Sequence, residues 1–339
     1  YQGKNDMKRL ITTGAAFLLA ATLSACNGNN TSETQGDRTE QAETVQADLF
    51  SADSAYTFVQ RQVNFGPRIP GTAPHRACGD WLVATLRSFG AAVQEQTAEI
   101  KAHDGTMLPM RNIIASYRPE ATGRMLLMAH WDTRPVCDQD ANPAMHTETF
   151  DGADDGGSGV GVLLEIARYL GQQKDLGMGI DIVFFDTEDY GSYGDDESWC
   201  LGSQYWSRNP HVAGYKAEAG ILLDMVGAKG ATFYWEYFSK SYAPGLISAV
   251  WQTAAALGYG NYFIQADGGA LTDDHVPVIK NLGIPCIDII NYSSKNEHGF
   301  GDHWHTQRDN MQIIDKNVLD AVGETVIRYL DEQVKAASH

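Results

Sequence analysis

Apolar residues recur at helical spacing through "ADSAYTFVQRQVNF" (52–65) and "RACGDWLVATLRSF" (76–89), the second pattern ending at Gly90. "GGSGVGVLLEIARYL" (156–170) and "KNVLDAVGETVIRYLDEQVKAA" (316–337) predict two more covering helices. Between them stand five runs of another kind: "RNIIASY", "RMLLMAHWD", "IDIVFFDTED", "AGILLDMVG" and "PCIDIINYS". They are β-rich, bounded by turn residues and almost without polar alternation, the pattern of strands covered on both faces. Such strands alternating with helices predict an α/β fold, a three-layer α/β/α sandwich around a mostly parallel, mixed central sheet. No linker, repeat or low-complexity run interrupts residues 48–339, which are expected to form one domain.

Where the apolar runs end, charge begins. His130 and Asp132, Glu188 and Asp189, and Asp224 each follow directly on one of them. In α/β sheets the ligand crevice lies beyond the carboxyl ends of the strands. "FFDTEDYG" (184–191) is the sharpest case, with Asp186, Glu188 and Asp189 close behind two phenylalanines. Carboxylates crowded in this way need a cation, a proton or water to relieve them.

Singly, each charged residue has an ordinary reading. His130 suits a hydrogen-bonded core histidine, and Asp154 and Asp155 in "DGADDGGSG" suit helix capping. Asp224 suits a turn, and His305 in "DHWHTQRDN" suits a surface loop. Together His130, Asp154 or Asp155, Asp189, Asp224 and His305 make an imidazole and carboxylate set. Zinc accepts that mixture and keeps a position open for substrate.

Composition narrows the setting. The chain is 43% apolar with seven Trp and 15 Tyr, enough for a sizeable core, and its net charge of −18 excludes nucleic acid and anionic lipid surfaces as partners. "MKRLITTGAAFLLAATLSAC" (7–26) has a basic start, an apolar stretch too short to span a membrane, and small residues before a cysteine. "LSAC" resembles a bacterial lipobox. Residues 7–25 are therefore expected to be a lipoprotein signal peptide, with Cys26 the lipid attachment point. An ordinary signal peptide cut after Ala25 is the alternative. Residues 1–6 are expected to be upstream or vector-derived, and the polar stretch 26–47 to be a flexible tether. This places the domain in a Gram-negative cell envelope, touching membrane through its lipid alone. Asn27 lacks the aspartate associated with inner-membrane retention, so the expected location is the outer membrane, facing the periplasm. Cys78, Cys137, Cys200 and Cys286 show neither a disulfide framework nor a CxxC pair, leaving disulfides and buried thiols both open.

The order "HWD", "GADDGGSG", "FFDTED", "LLDMVG", "DDHVP" and "HWHT" resembles the zinc aminopeptidase (M28-like) superfamily. Its members include the animal-type, or type II, glutaminyl-peptide cyclotransferases. The likeness runs from "NFGPRIPGT" to "HWHTQRDN". It implies zinc ligation by Asp155, Asp189 and His305, with Glu188 as general acid/base. At Asp189 the commoner residue is Glu; Asp is a methylene shorter with the same oxygen chemistry. If the site is dizinc, His130 and Asp224 complete a five-ligand set, and the expected activity is that of an aminopeptidase.

Two features favour the cyclotransferases, for which one zinc is expected. "TDDHVP" carries an extra acid, Asp273, which the resemblance makes catalytic alongside Asp224. Trp304 precedes His305, as in enzymes where that indole walls the substrate pocket. Helix capping and core packing are the ordinary readings of these two residues. The loop "YGSYGDDESWCLGS" lacks a tryptophan at the position of the family's second pocket wall, where Tyr193 or Trp199 is expected to substitute, and Asp288 replaces a family histidine. The implied activity is cyclisation of N-terminal glutamine on peptides and exported proteins to pyroglutamate, releasing ammonia. A remoter reading is an inactive, lipid-anchored binding protein on a hydrolase scaffold.

Overall fold

Consecutive apolar residues in a strand point to opposite faces, so each unbroken run needs two covers. The computed structural model describes residues 49–337 and supplies both. Residues 1–6, the predicted leader, Cys26 and the whole of the tether lie outside the described residues. Six strands form the main sheet: β1 (Ala92–Lys101), β2 (Met107–Tyr117), β3 (Arg124–His130), β4 (Gly179–Phe185), β5 (Ala219–Asp224) and, after a separate pair, β8 (Cys286–Ile290). Their order is β1-β2-β4-β3-β5-β8. β4, β3, β5 and β8 run parallel, and the β1–β2 and β2–β4 pairings are antiparallel. The separate pair is β6 (Phe233–Trp235) and β7 (Phe263–Asp267).

One face carries Ile180, Ile182 and Phe184 of β4 beneath α1 (Ala52–Val63), α2 (Ala73–Ser88), α3 (Gly157–Gln172) and α8 (Lys316–Ala337). The other carries Val183 and Phe185 beneath α4 (Leu201–Arg208) and α7 (His275–Leu282). Two further helices, α5 (Tyr237–Tyr242) and α6 (Pro244–Ala256), pack near the β8 edge. The layers are those predicted. All four described cysteines are buried free thiols.

Helix α3 sets the height of the site. A Cβ added at Gly159 would lie 2.2 Å from the carbonyl oxygen of Leu223, and one at Gly161 would lie 2.5 Å from Val59. The glycines therefore let the helix sink onto β5 and α1, which brings its N-terminus level with the strand ends.

β1 was not legible as a strand. Its sequence, "AVQEQTAEIK", is mostly polar because it is a sheet edge, and it is held by ten paired positions on β2.

Candidate active site and metal centre

The acidic knot after β4 is sorted by its turn. Asp186 takes both oxygens to His75 Nε2 at 3.0 Å and also accepts from Arg111 N at 2.7 Å, so it belongs to the scaffold. Thr187 then adopts φ +56°, the left-handed region, and reverses the chain. Buried Asp132 accepts the backbone N–H groups of Glu188 and Asp189 at 3.1 and 3.2 Å. Those bonds aim both side chains into the crevice.

The "GADD" turn is braced the same way. Asp309 accepts from Asp154 N at 2.7 Å and Asp155 N at 3.1 Å. Asp154 is already engaged, by His303 Nε2 at 2.7 Å and Gly227 N at 2.8 Å. Asp155 is the one left free for a ligand. Three more non-glycine residues in this crevice have positive φ: Cys200, Met225 and His305, at +57°, +46° and +51°. Strain of this kind collects where geometry serves a site rather than the fold.

Two buried triads share Asp155. His305 Nε2 lies 3.3 Å from Asp155 Oδ2 and 3.1 Å from Asp189 Oδ1. His130 Nε2 lies 3.0 Å from Asp155 Oδ1 and 3.2 Å from Asp224 Oδ1. Tetrahedral zinc with bonds of about 2.1 Å places neighbouring ligand atoms about 3.4 Å apart, so both donor sets fit the ion. Burial opposes protonation of His305, but Asp189 and Asp155 bring its pKa up to about 9, a measure of the negative field that awaits a cation. Burial likewise opposes charge on His130, and Asp132, Asp155 and Asp224 override it to raise its pKa well above the usual value.

The orientation of His305 is fixed from behind. Its Nδ1 lies 2.7 Å from the Tyr193 hydroxyl, which donates to Asp138 Oδ1 at 3.0 Å. With Nδ1 so engaged, Nε2 faces the triad, the arrangement in which outer partners set a metal-binding tautomer. Arg134 ties the group together. Its Nε donates to Asp138 at 3.0 Å and its Nη1 to Gly191 O at 3.1 Å, and its guanidinium lies 5.0 Å from the ring centres of both Tyr193 and Trp199.

A cavity of about 330 Å³ opens over these residues. Tyr193, Trp199 and Trp304 all line it, and Trp304 stacks on His305 with centroids 3.9 Å apart. Glu188, Asp224 and Asp273 line its floor. Asp273 does not cap α7; Asp274 holds that position and makes no side-chain capping bond. Burial, with Asp189, Asp273 and Asp274 nearby and His130 opposing, raises the Glu188 pKa well above the carboxylate range. Burial and Asp224 push Asp273 up to about 7. Asp288, deeper in, is raised well above it by burial and by Asp273.

The structure thus brings every predicted site residue of the domain into one crevice. Sequence reasoning missed Arg134, Asp138 and Asp309 as supports, and it noted Asp132 only for its place after a strand. A lone Arg or Asp in a loop carries no periodic signal, and partners more than fifty residues away define these roles.

Residues 112–330 match the model of Peptidase family M28, and the chain belongs to that family. Within it, the chain is similar to the solved structure of Porphyromonas gingivalis glutaminyl cyclase, with 96% identity over 85% of this chain and 100% of that one and a TM-score of 0.81. A Zn-dependent exopeptidase from Parabacteroides distasonis is 56% identical over 83% of this chain and 98% of its own, also with a TM-score of 0.81. The Bos taurus glutaminyl-peptide cyclotransferase is 24% identical over 254 residues, which are 65% of this chain and 66% of that protein. The chain therefore spans about two thirds of the bovine enzyme's length.

Proposed function

We infer that this chain is a zinc-dependent glutaminyl cyclase, converting N-terminal glutamine of peptides to pyroglutamate with release of ammonia. The observation that carries the reading is the 96% identity to a glutaminyl cyclase along the whole of that chain. Buried Asp273, beside Glu188 on the cavity floor, agrees with it.

In this reading the aromatic walls, Trp304 above all, press the glutamine side chain into the conformer that closes a ring, where proximity supplies much of the rate. Asp155, Asp189 and His305 would hold the zinc, which when bound would supply Lewis-acid polarisation of the side-chain amide. The neutral α-amine attacks the amide carbon. Glu188 accepts the proton that the amine sheds and returns it to the departing nitrogen, so ammonia leaves and the carboxylate is regenerated. A carboxyl whose pKa burial raises suits both transfers. Asp273 and Asp224 hold the departing nitrogen through one shared proton.

One ion per chain is part of the proposal. In this reading His130 and Asp224, which lie beside Asp155, are left without metal. The dizinc aminopeptidase remains the rival, since both donor sets fit metal. The test combines the purified protein, a metal count, and peptides beginning with Gln and with Leu, read by mass spectrometry. Loss of ammonia from the first, an intact second, one zinc, and a fall of about 10²–10⁴ in turnover for Glu188→Gln are expected. Release of free leucine with two zinc per chain would sink the reading.

The setting is proposed from the sequence: lipidation at Cys26, an envelope location on the periplasmic side of the outer membrane, and exported proteins with N-terminal glutamine as substrates.

A further inference from the structure

We propose that Cys200, Glu188 and Asp273 form a second cation site, for a thiophilic divalent ion such as zinc in excess, whose occupation shuts the enzyme down. The three side chains are buried, and their Sγ, carboxylate and carboxylate oxygen atoms lie within 4.8 Å of one another. They are distinct from Asp155, Asp189 and His305.

The thiol is built into place. Cys200 takes a left-handed conformation, φ +57°, and its N–H donates to Glu188 O at 2.9 Å. Its Sγ then meets Glu188 Oε1 at 3.4 Å. A tetrahedral zinc with a sulfur bond of about 2.3 Å and an oxygen bond of about 2.1 Å sets those two atoms about 3.6 Å apart. The span is already that of a ligand pair, on backbone that the hydrogen bond holds rigid. Asp273 supplies the third donor: its Oδ2 is buried and has no hydrogen-bond partner.

Charge points the same way. Asp224, Asp273, Asp274 and Asp288 surround the pair with buried carboxyls. The imidazoles facing this cluster are His130 and His275. An ion reaches it from the substrate cavity, which Glu188 and Asp273 line, while Cys200 lines a smaller cavity that shares Trp199 and Thr272 with it. Binding displaces the thiol proton to solvent and forms one metal–sulfur and two metal–oxygen bonds. Glu188 is then a ligand and is lost as a base. The inhibition rests on the cyclase reading; the binding does not.

The test is to titrate the zinc-loaded protein with Cd2+. Three readouts are followed: bound metals, the thiolate-to-cadmium charge-transfer absorption, and cyclisation of a Gln-peptide. One extra Cd2+ per chain, the absorption band and loss of activity in step with it are expected. Cys200→Ser keeps a hydroxyl toward Glu188 and removes the soft donor. It should lose the band and weaken Cd2+ binding at least about tenfold, with inhibition scored against its own zinc-loaded, cadmium-free rate. Asp273→Asn should keep the band at weakened affinity, and Cys137→Ser should match the wild type. Absence of the band in the wild type, its persistence in Cys200→Ser, or release of one zinc for each cadmium bound would overturn the proposal. If the chain proves to have no cyclase activity, the binding and absorption still decide whether the site exists.

Discussion

Asp186, Glu188 and Asp189 stand within four positions of one another and do three different things. The difference lies in what each meets. Asp186 spends its charge on His75 and backbone N–H groups, Glu188 faces the cavity with its pKa raised by burial, and Asp189 faces His305. Asp273 yields a prediction at this scale. Its pKa, pushed from 3.8 up to about 7, means that the folded chain holds this proton more tightly than the unfolded one. Stability therefore falls as pH rises from about 4 to about 7 and is flat beyond, by at most about 4 kcal/mol. Asp273→Asn should abolish that loss, so its urea midpoint should exceed the wild-type value at pH 8 and approach it at pH 4. Equal differences at both pH values would show that Asp273 is ionised as easily folded as unfolded. The roles of Asp132 and Asp309 were illegible because a carboxylate's function is set by donors that the fold delivers from far along the chain.

Strands β3, β4 and β5 were legible as elements because burial on both faces leaves an unbroken apolar run. Their polar terminators were legible as a site because parallel strands present one common edge. The close seating of α3 was not legible. Gly159→Ala gains roughly 1 kcal/mol of helix propensity, but the new methyl meets the Leu223 carbonyl at 2.2 Å. Overpacking costs about 1–3 kcal/mol, so a net loss of stability is expected, visible as a lower melting temperature. A variant at least as stable as wild type would show that the helix can lift from the sheet. The loop after β3 depends on Arg134, buried against Asp138 and the Asp189–Gly191 backbone. Arg134→Ala removes the main charge partner of half-buried Asp138 and should cost about 1–3 kcal/mol. It should also lower kcat/KM by about 10–100-fold through the slackened Tyr193–His305 contact. Lysine should not restore the rate, since it lacks the planar fork that reaches three partners. Full rescue by lysine would reduce the role of Arg134 to charge alone.

At the scale of the whole molecule, no described helix is long and apolar enough to cross a membrane, and membrane attachment is proposed from the sequence. Cys26 is the proposed point. Expressed with its leader in a Gram-negative cell, the wild-type chain should incorporate labelled palmitate and partition with detergent, and Cys26→Ser should do neither. Label retained by the variant would move the anchor or remove it. What the sequence determined by itself was whatever depends on short-range pattern: the layers, the buried strands, the sheet edge that carries chemistry, and the candidate ligands that follow each strand. Period and burial are written residue by residue, so these survive without coordinates. Tertiary structure decided the rest. It assigned Asp154 to His303 and left Asp155 for metal, sealed Asp186 into the scaffold, and gathered three aromatic rings over His305. It also set Cys200 against Glu188. Each of these is a contact between segments tens of residues apart, and only the packing of α3, α4 and the strand ends fixes which side chains meet.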